Sequence, residues 1–267
     1  MKYMTFNSSC SYAGLANLLS FYGVDTEDRE IALQMGLPFL FDYMDGCYLS
    51  GPMLQSEKWF NLYLKPIGFT MTETEVDKEQ ICDYLRNLRY AMLGIYVSER
   101  NKHAVIFTGM KDDKFCMLNN KWEQVDEPEM LFLSEQELLQ RVDEIIMVGI
   151  LNKTVCESVR NENLLGHSIE VLQALGKDII DFCSQEKTAI DIRFSMNTLF
   201  RAILLDGITM LELIGETQII QKLKTVQGQF MNAVKENKPL QLNQFLDVPL
   251  LNAAIAEYIE LIQVHMK

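Results

Sequence analysis

NKHAVIFTGMKDDKFCMLNN, residues 101–120, holds two runs rich in β-branched, aromatic and other apolar residues, joined by the turn-like KDDK. Such runs favour strands, and a short polar joint between them predicts an antiparallel hairpin. Pairing of that kind brings the far end of the second run, Asn119 and Asn120, back beside His103 at the start of the first. Side chains alternate along a strand, so only one of the two asparagines can face the histidine, and Asn119 is the favoured one.

Working outward, YAMLGIYV (90–97) precedes the hairpin across SERNK, and EIIMVGIL (144–151) follows it after a longer insert in which SEQELLQRV (134–142) reads as a helix. Upstream, FTMTET (69–74) reads as a short strand, with helices over MLQSEKWFNLYL (53–64) and VDKEQICDYLRNL (76–88) on either side. DTEDREIALQMG (25–36) reads as a helix with acidic residues in its first turn and a closing glycine, and LPFLFDYMDGCYLSGP (37–52) as a loop. Helices first and strands afterwards predict an α+β domain over residues 1–152. From 153 to 267 the strand signal gives way to amphipathic segments, which predicts an all-helical region that packs or dimerises through its apolar stripes.

The chain has 267 residues, 48% of them hydrophobic, enough for a sizeable core. Its 37 acidic against 24 basic residues leave a net charge of −13, which disfavours nucleic acid and anionic membrane surfaces as partners. No apolar run of signal-peptide or membrane-span length is apparent, so the expected compartment is the cytoplasm and the six scattered cysteines are expected to be free thiols. Neither a phosphate-binding glycine loop nor a zinc-ligand spacing occurs, and no cofactor or metal is expected.

Cys10 stands where the polar NSS (7–9) turns into an apolar helix, SYAGLANLLSFYG (11–23). A thiol in the first turn of a helix feels the unpaired N–H groups there, which predicts a lowered pKa and a nucleophilic thiolate. A cysteine nucleophile needs an imidazole to take and return its proton, and His103 is the only histidine before residue 153. An orienting group for that imidazole is supplied by Asn119 or Asn120, and Trp122 follows closely enough to shield the bond. Asp42, Tyr43 and Asp45 in FDYMDGCY are candidate cleft residues of lower rank, while His167 and His265 sit within helical patterns.

SSCSYAGLANLLSFYGV followed by NKHAVIFTGMKDDKFCMLNN resembles the papain-like fold of two related groups. One is the bacteriocin-leader peptidases fused to ABC exporters; the other is the family of the N-terminal domain of butirosin biosynthesis protein H, to which YGVDTEDREIALQMGLPFLFDY (22–43) is the more similar. The resemblance covers about residues 4–150. It implies Cys10 as nucleophile, His103 as base and acid, and Asn119 where the family has aspartate. Two positions depart from the leader peptidases: Met4 stands in place of a glutamine that completes the oxyanion hole, and Ser11 in place of a glycine after the cysteine. Asn7 or Ser8 is the candidate side-chain donor that replaces that glutamine, beside the Cys10 N–H.

The function implied is acyl transfer through an S-acyl intermediate on Cys10. The resemblance to the butirosin-related family gives an acyl-carrier-protein or peptide donor and a small amine acceptor, in specialised-metabolite assembly. Two alternatives accompany it: a cysteine peptidase or amidase, and a non-catalytic papain-like binding module.

Overall fold

A computed structural model of the chain describes residues 3–6, 10–120, 129–159, 162–236 and 238–266. Two compact units emerge, one comprising Met1–Met35 with Gln55–Val159, the other Gly36–Leu54 with Arg160–Lys267. The sequence expectation divided the chain once, at 152/153. Residues 36–54 instead leave the first unit and group with the second, and the later boundary falls at 159/160.

In chain order the first unit begins with α1 (Cys10–Ser20) and α2 (Asp28–Gln34). The excursion then forms β1 (Phe41–Met44) and β2 (Cys47–Ser50), after which the first unit resumes with α3 (Glu57–Leu64), β3 (Phe69–Asp77) and α4 (Ile81–Arg86). It ends with β4 (Ala91–Ser98), β5 (Asn101–Lys111), β6 (Lys114–Asn119), β7 (Glu129–Leu133), α5 (Glu135–Leu139) and β8 (Ile145–Lys153).

The six strands β3 to β8 make one antiparallel sheet in the order β3-β8-β4-β5-β6-β7. The hairpin at its centre turns on Asp112 and Asp113, both at positive φ, with Lys111 opposite Lys114. Two consecutive left-handed residues match the right-handed twist of the paired strands. One sheet face carries Leu93 and Ile95 of β4, Val105 and Phe107 of β5, and Ile146 and Val148 of β8, all buried with Ile81 and Leu85 of α4 and Leu138 of α5. Helix α1 covers the other face at close range. A Cβ at Gly14 would lie 3.1 Å from Met92 Sδ and 3.3 Å from Asn120 Nδ2, so glycine permits the approach.

Two elements depart from expectation in instructive ways. The helix expected over 76–88 shortens to Ile81–Arg86 because the β3–β8 ladder runs on to Asp77 opposite Ile145, taking the first residues for the sheet. The insert before β8 holds β7 as well as a helix, because β6 pairs along its whole length with that strand, Phe115 opposite Leu133 through Asn119 opposite Glu129.

The second unit contains α6 (Glu162–Ser184), α7 (Ala189–Ser195), α8 (Gly207–Leu213), α9 (Gln218–Ala233) and α10 (Val248–His265), with π-wound turns over Met196–Phe200 and Ala202–Asp206. Its helices were expected; its small β pairs were not. Strands β1 and β2 meet across Asp45 (φ 54°) and Gly46 (φ 77°), where a loop was expected, and Glu186–Lys187 pairs with Leu240–Gln241. The hairpin belongs here because α6 and α10 bind its surroundings: Ser168 Oγ accepts from Phe41 N–H at 2.9 Å, and the buried Tyr258 hydroxyl donates to Pro38 O at 2.5 Å. Among the described residues no helix is long and apolar enough to cross a membrane.

Candidate active site

Cys10 is the first residue of α1, and α1 lies on β5, so the sulfur meets the strand. Sγ accepts a hydrogen bond from the Ala104 N–H at 3.1 Å. The preceding strand residue is His103, which pairs with Ile95 of β4. The β5–β6 ladder stops at Val105 opposite Asn119, so His103 lies beyond the end of β6.

Its imidazole is tethered there: Nδ1 is 3.0 Å from Asn119 Oδ1. An amide oxygen only accepts, so this partner assigns the ring proton to Nδ1 and leaves Nε2 as the basic nitrogen. Asn101 Nδ2 sits at 3.5 Å from Nε2, a long contact on the exposed side. Cys10, His103 and Ala104 line one cavity of about 370 Å³, together with Ser11, Gln55 and the exposed apolar side chains of Ile145 and Met147 of β8.

The second asparagine does different work. Asn120 is wholly buried, its Nδ2 donating to Cys10 O at 3.3 Å and Ala104 O at 3.4 Å, and its Oδ1 accepting from Asn17 Nδ2 at 2.6 Å. Alternation sends Asn119 to the imidazole and Asn120 to the helix that carries the thiol. Adjacent residues thereby fix both partners. The first role was expected for one of the pair; the clamp by the other was not.

No family model matches this chain, and no curated protein matches it either. Among solved structures, it is similar to the peptidase domain of Streptococcus ComA, described as a bi-functional ABC transporter involved in a quorum sensing pathway: 13% identity over 57% of this chain and 97% of that one, with a TM-score of 0.41.

Electrostatically the thiol runs against the sequence expectation. Burial pushes the Cys10 thiol up, and the Ala104 N–H, first among several weaker influences, pulls it down without offsetting that. The helix tip is pressed on β5 instead of opening to water, and desolvation penalises the thiolate. Among the described residues, moreover, the hydrogen-bond partner of Sγ is the Ala104 N–H and not the imidazole. The resting site therefore holds a thiol kept protonated by burial and lining the same cavity as a tethered imidazole, with no hydrogen bond between the two.

Asn7, Ser8 and Trp122 lie outside the described residues. Met4 is buried, and Thr5 next to it ties the start of the chain to α2 through hydrogen bonds of 2.6 Å from its N–H and its hydroxyl to the Asp28 carboxylate. Asp42 belongs to the second unit, where its carboxylate meets His167 Nε2 at 2.9 Å; Tyr43 packs on Tyr48 at 4.7 Å between ring centroids, and His265 stacks on Phe39 at 4.0 Å. All six cysteines are free, and among the described residues no group of three or more His, Cys, Asp or Glu is placed to hold a metal. Gln55 and the Ala104 N–H carry no sequence signal of their own. Only the folded hairpin reveals them.

Proposed function

We propose that the first unit is a cysteine enzyme of acyl-group chemistry, with Cys10 as nucleophile, His103 as base and acid, and Asn119 orienting the imidazole. What supports this reading is one local arrangement: the Ala104 N–H holds the sulfur while the adjacent residue presents a tethered imidazole to the same cavity. The family resemblance of the two sequence stretches points the same way.

In this mechanism His103 Nε2 takes the Cys10 proton as the thiolate adds to the acyl carbon, forming the C–S bond and an oxyanion. Collapse expels the leaving group, which receives the proton from the imidazolium, and leaves an S-acyl cysteine. An amine or water then gives its proton to Nε2 and attacks the thioester; the C–S bond breaks, and the departing Cys10 thiolate takes that proton from the imidazolium, restoring the thiol with the acyl group on the acceptor. Because the resting thiol is neutral, proton removal accompanies attack rather than preceding it.

The proposed donor is a carrier-protein thioester or a peptide and the proposed acceptor a small amine, after the butirosin-related resemblance, with water as acceptor giving a peptidase or amidase. A working thiol needs a reducing setting, and we place the chain in the cytoplasm. Intact mass after incubation with an acyl-carrier thioester is the test. An acyl adduct on wild type, absent from Cys10→Ser, slowed at least 10²-fold in His103→Ala and discharged by added amine, is the expected result. Adduct formation of equal rate in wild type and His103→Ala would defeat the assignment.

A further inference from the structure

We infer that Gln55, held by Ser11, is the side-chain donor to the oxyanion formed at Cys10; this rests on the proposed acyl chemistry and names a residue for it. Acyl addition to a cysteine places negative charge on the former carbonyl oxygen, and such sites need donors aimed at it before the reaction begins. The first turn of α1 offers one, the Cys10 N–H. A side chain must offer another.

Gln55 lines the cavity that Cys10 lines, and the Ser11 hydroxyl donates a hydrogen bond to its Oε1. Ser11 directly follows the nucleophile and is buried, so this bond fixes the amide at a set place in the wall of the cavity that Cys10 lines. A primary amide has one oxygen acceptor and two N–H donors. With Oε1 occupied by Ser11, the Nε2 group is the free end, and among the described residues it has no partner. Met4 can offer no N–H from its side chain and is buried under the chain start. Gln55 thus brings an amide to the site from a segment 45 positions after the cysteine, and Ser11 at the position after the nucleophile is what points it.

Two reactions of the same thiol separate this role from general damage. Alkylation by iodoacetamide displaces iodide at a tetrahedral carbon and forms no oxyanion; acylation by S-phenyl thioacetate passes through one. Gln55→Ala is expected to slow acylation by about 10²-fold while leaving alkylation within about twofold, since one donor to the oxyanion is lost and the thiol is untouched. Gln55→Glu, with an acceptor in place of the donor, is expected to slow acylation at least as much. Ser11→Ala is expected to slow it by about tenfold, by loosening the amide.

Equal slowing of both reactions in Gln55→Ala, or slowing of neither, overturns the assignment. So does a wild-type protein whose alkylation depends on His103 but which is not acylated at all; in that case the thiol–imidazole pair stands and the oxyanion site does not. Alkylation and acylation both indifferent to His103→Ala remove the proposed function, and Gln55 with it. Gln55 is exposed, and a thermal melt within a few degrees of wild type shows that Gln55→Ala folds.

Discussion

Buried polar side chains serve different ends in the two units. In the helical unit they satisfy backbone: Ser168 Oγ donates to Leu164 O at 2.8 Å, Ser195 Oγ to Ile192 O at 2.7 Å, and Ser50 Oγ to Ala202 O at 2.6 Å. In the α+β unit they reach side chains on distant stretches of chain: Asn17 meets the equally buried Asn120, Asn119 the half-buried His103, and Ser11 the exposed Gln55. Most side-chain hydrogen bonds in proteins go to backbone or water, and buried side-chain networks demand that every member be satisfied. The first unit accepts that demand around the tip of α1, and again where Tyr63 of α3 donates to Thr26 before α2. The second unit has long-range polar bonds too, Ser50 with Ala202 O and Tyr258 with Pro38 O among them, but three pairs of the first unit converge on the tip of α1, where the proposed chemistry is positioned.

The contrast breaks most visibly at Asn120. Asn120→Ala removes a partner of the buried Asn17 and the side-chain donor to Cys10 O and Ala104 O, and should cost the first unit about 3 kcal/mol. Trp59 is buried in that unit, so the urea midpoint followed by tryptophan fluorescence reports it. A loss below about 1 kcal/mol would mean that Asn120 does not clamp the helix.

Asn119→Ala leaves the clamp and removes the tether. The imidazole then turns freely about its side chain, and iodoacetamide alkylation and thioester acylation should both slow by about tenfold, with a smaller loss of stability than for Asn120→Ala. An unchanged rate beside a large fall in the urea midpoint would reverse the two roles. Ser168→Ala, in the helical unit, removes an acceptor for Phe41 N–H and should cost about 1 kcal/mol, read from helical circular dichroism, with no effect on the thiol.

How much of this was legible before folding depends on range. The hairpin and the Asn119–His103 proximity were readable because KDDK forces a tight turn and strand alternation is a local rule. The β1–β2 hairpin carried an equally local signal, the Asp45–Gly46 pair between FDYM and CYLS, and was read as loop because its apolar residues do not alternate cleanly. The clamp by Asn120 and the Ser11–Gln55 bond were not readable, since each joins segments whose separation in sequence says nothing of their distance. The division of the chain was hidden for the same reason: only the packing of Phe41 and Pro38 against α6 and α10 assigns residues 36–54.

The smallest and sharpest expectation concerns the thiol itself. Position at a helix tip predicted a depressed pKa, whereas burial on β5 raises it. For an acidic group the sign is direct. A folded-state pKa above the unfolded value means that the native state holds the proton more tightly, so folding is favoured fully below the unfolded value and loses that contribution as pH climbs through the folded one. The same shift displaces the alkylation profile: wild-type Cys10 should reach half-maximal reactivity with iodoacetamide at a pH above that of a free cysteine, about 8.5. Below that midpoint the rate should depend on His103, because a neutral thiol needs a base at the moment of attack. Well above it the thiolate forms unaided, and wild type and His103→Ala should converge. A midpoint several units lower, with a plateau that His103→Ala abolishes, would instead reveal a preformed thiolate–imidazolium pair and return the site to what the helix tip alone suggested.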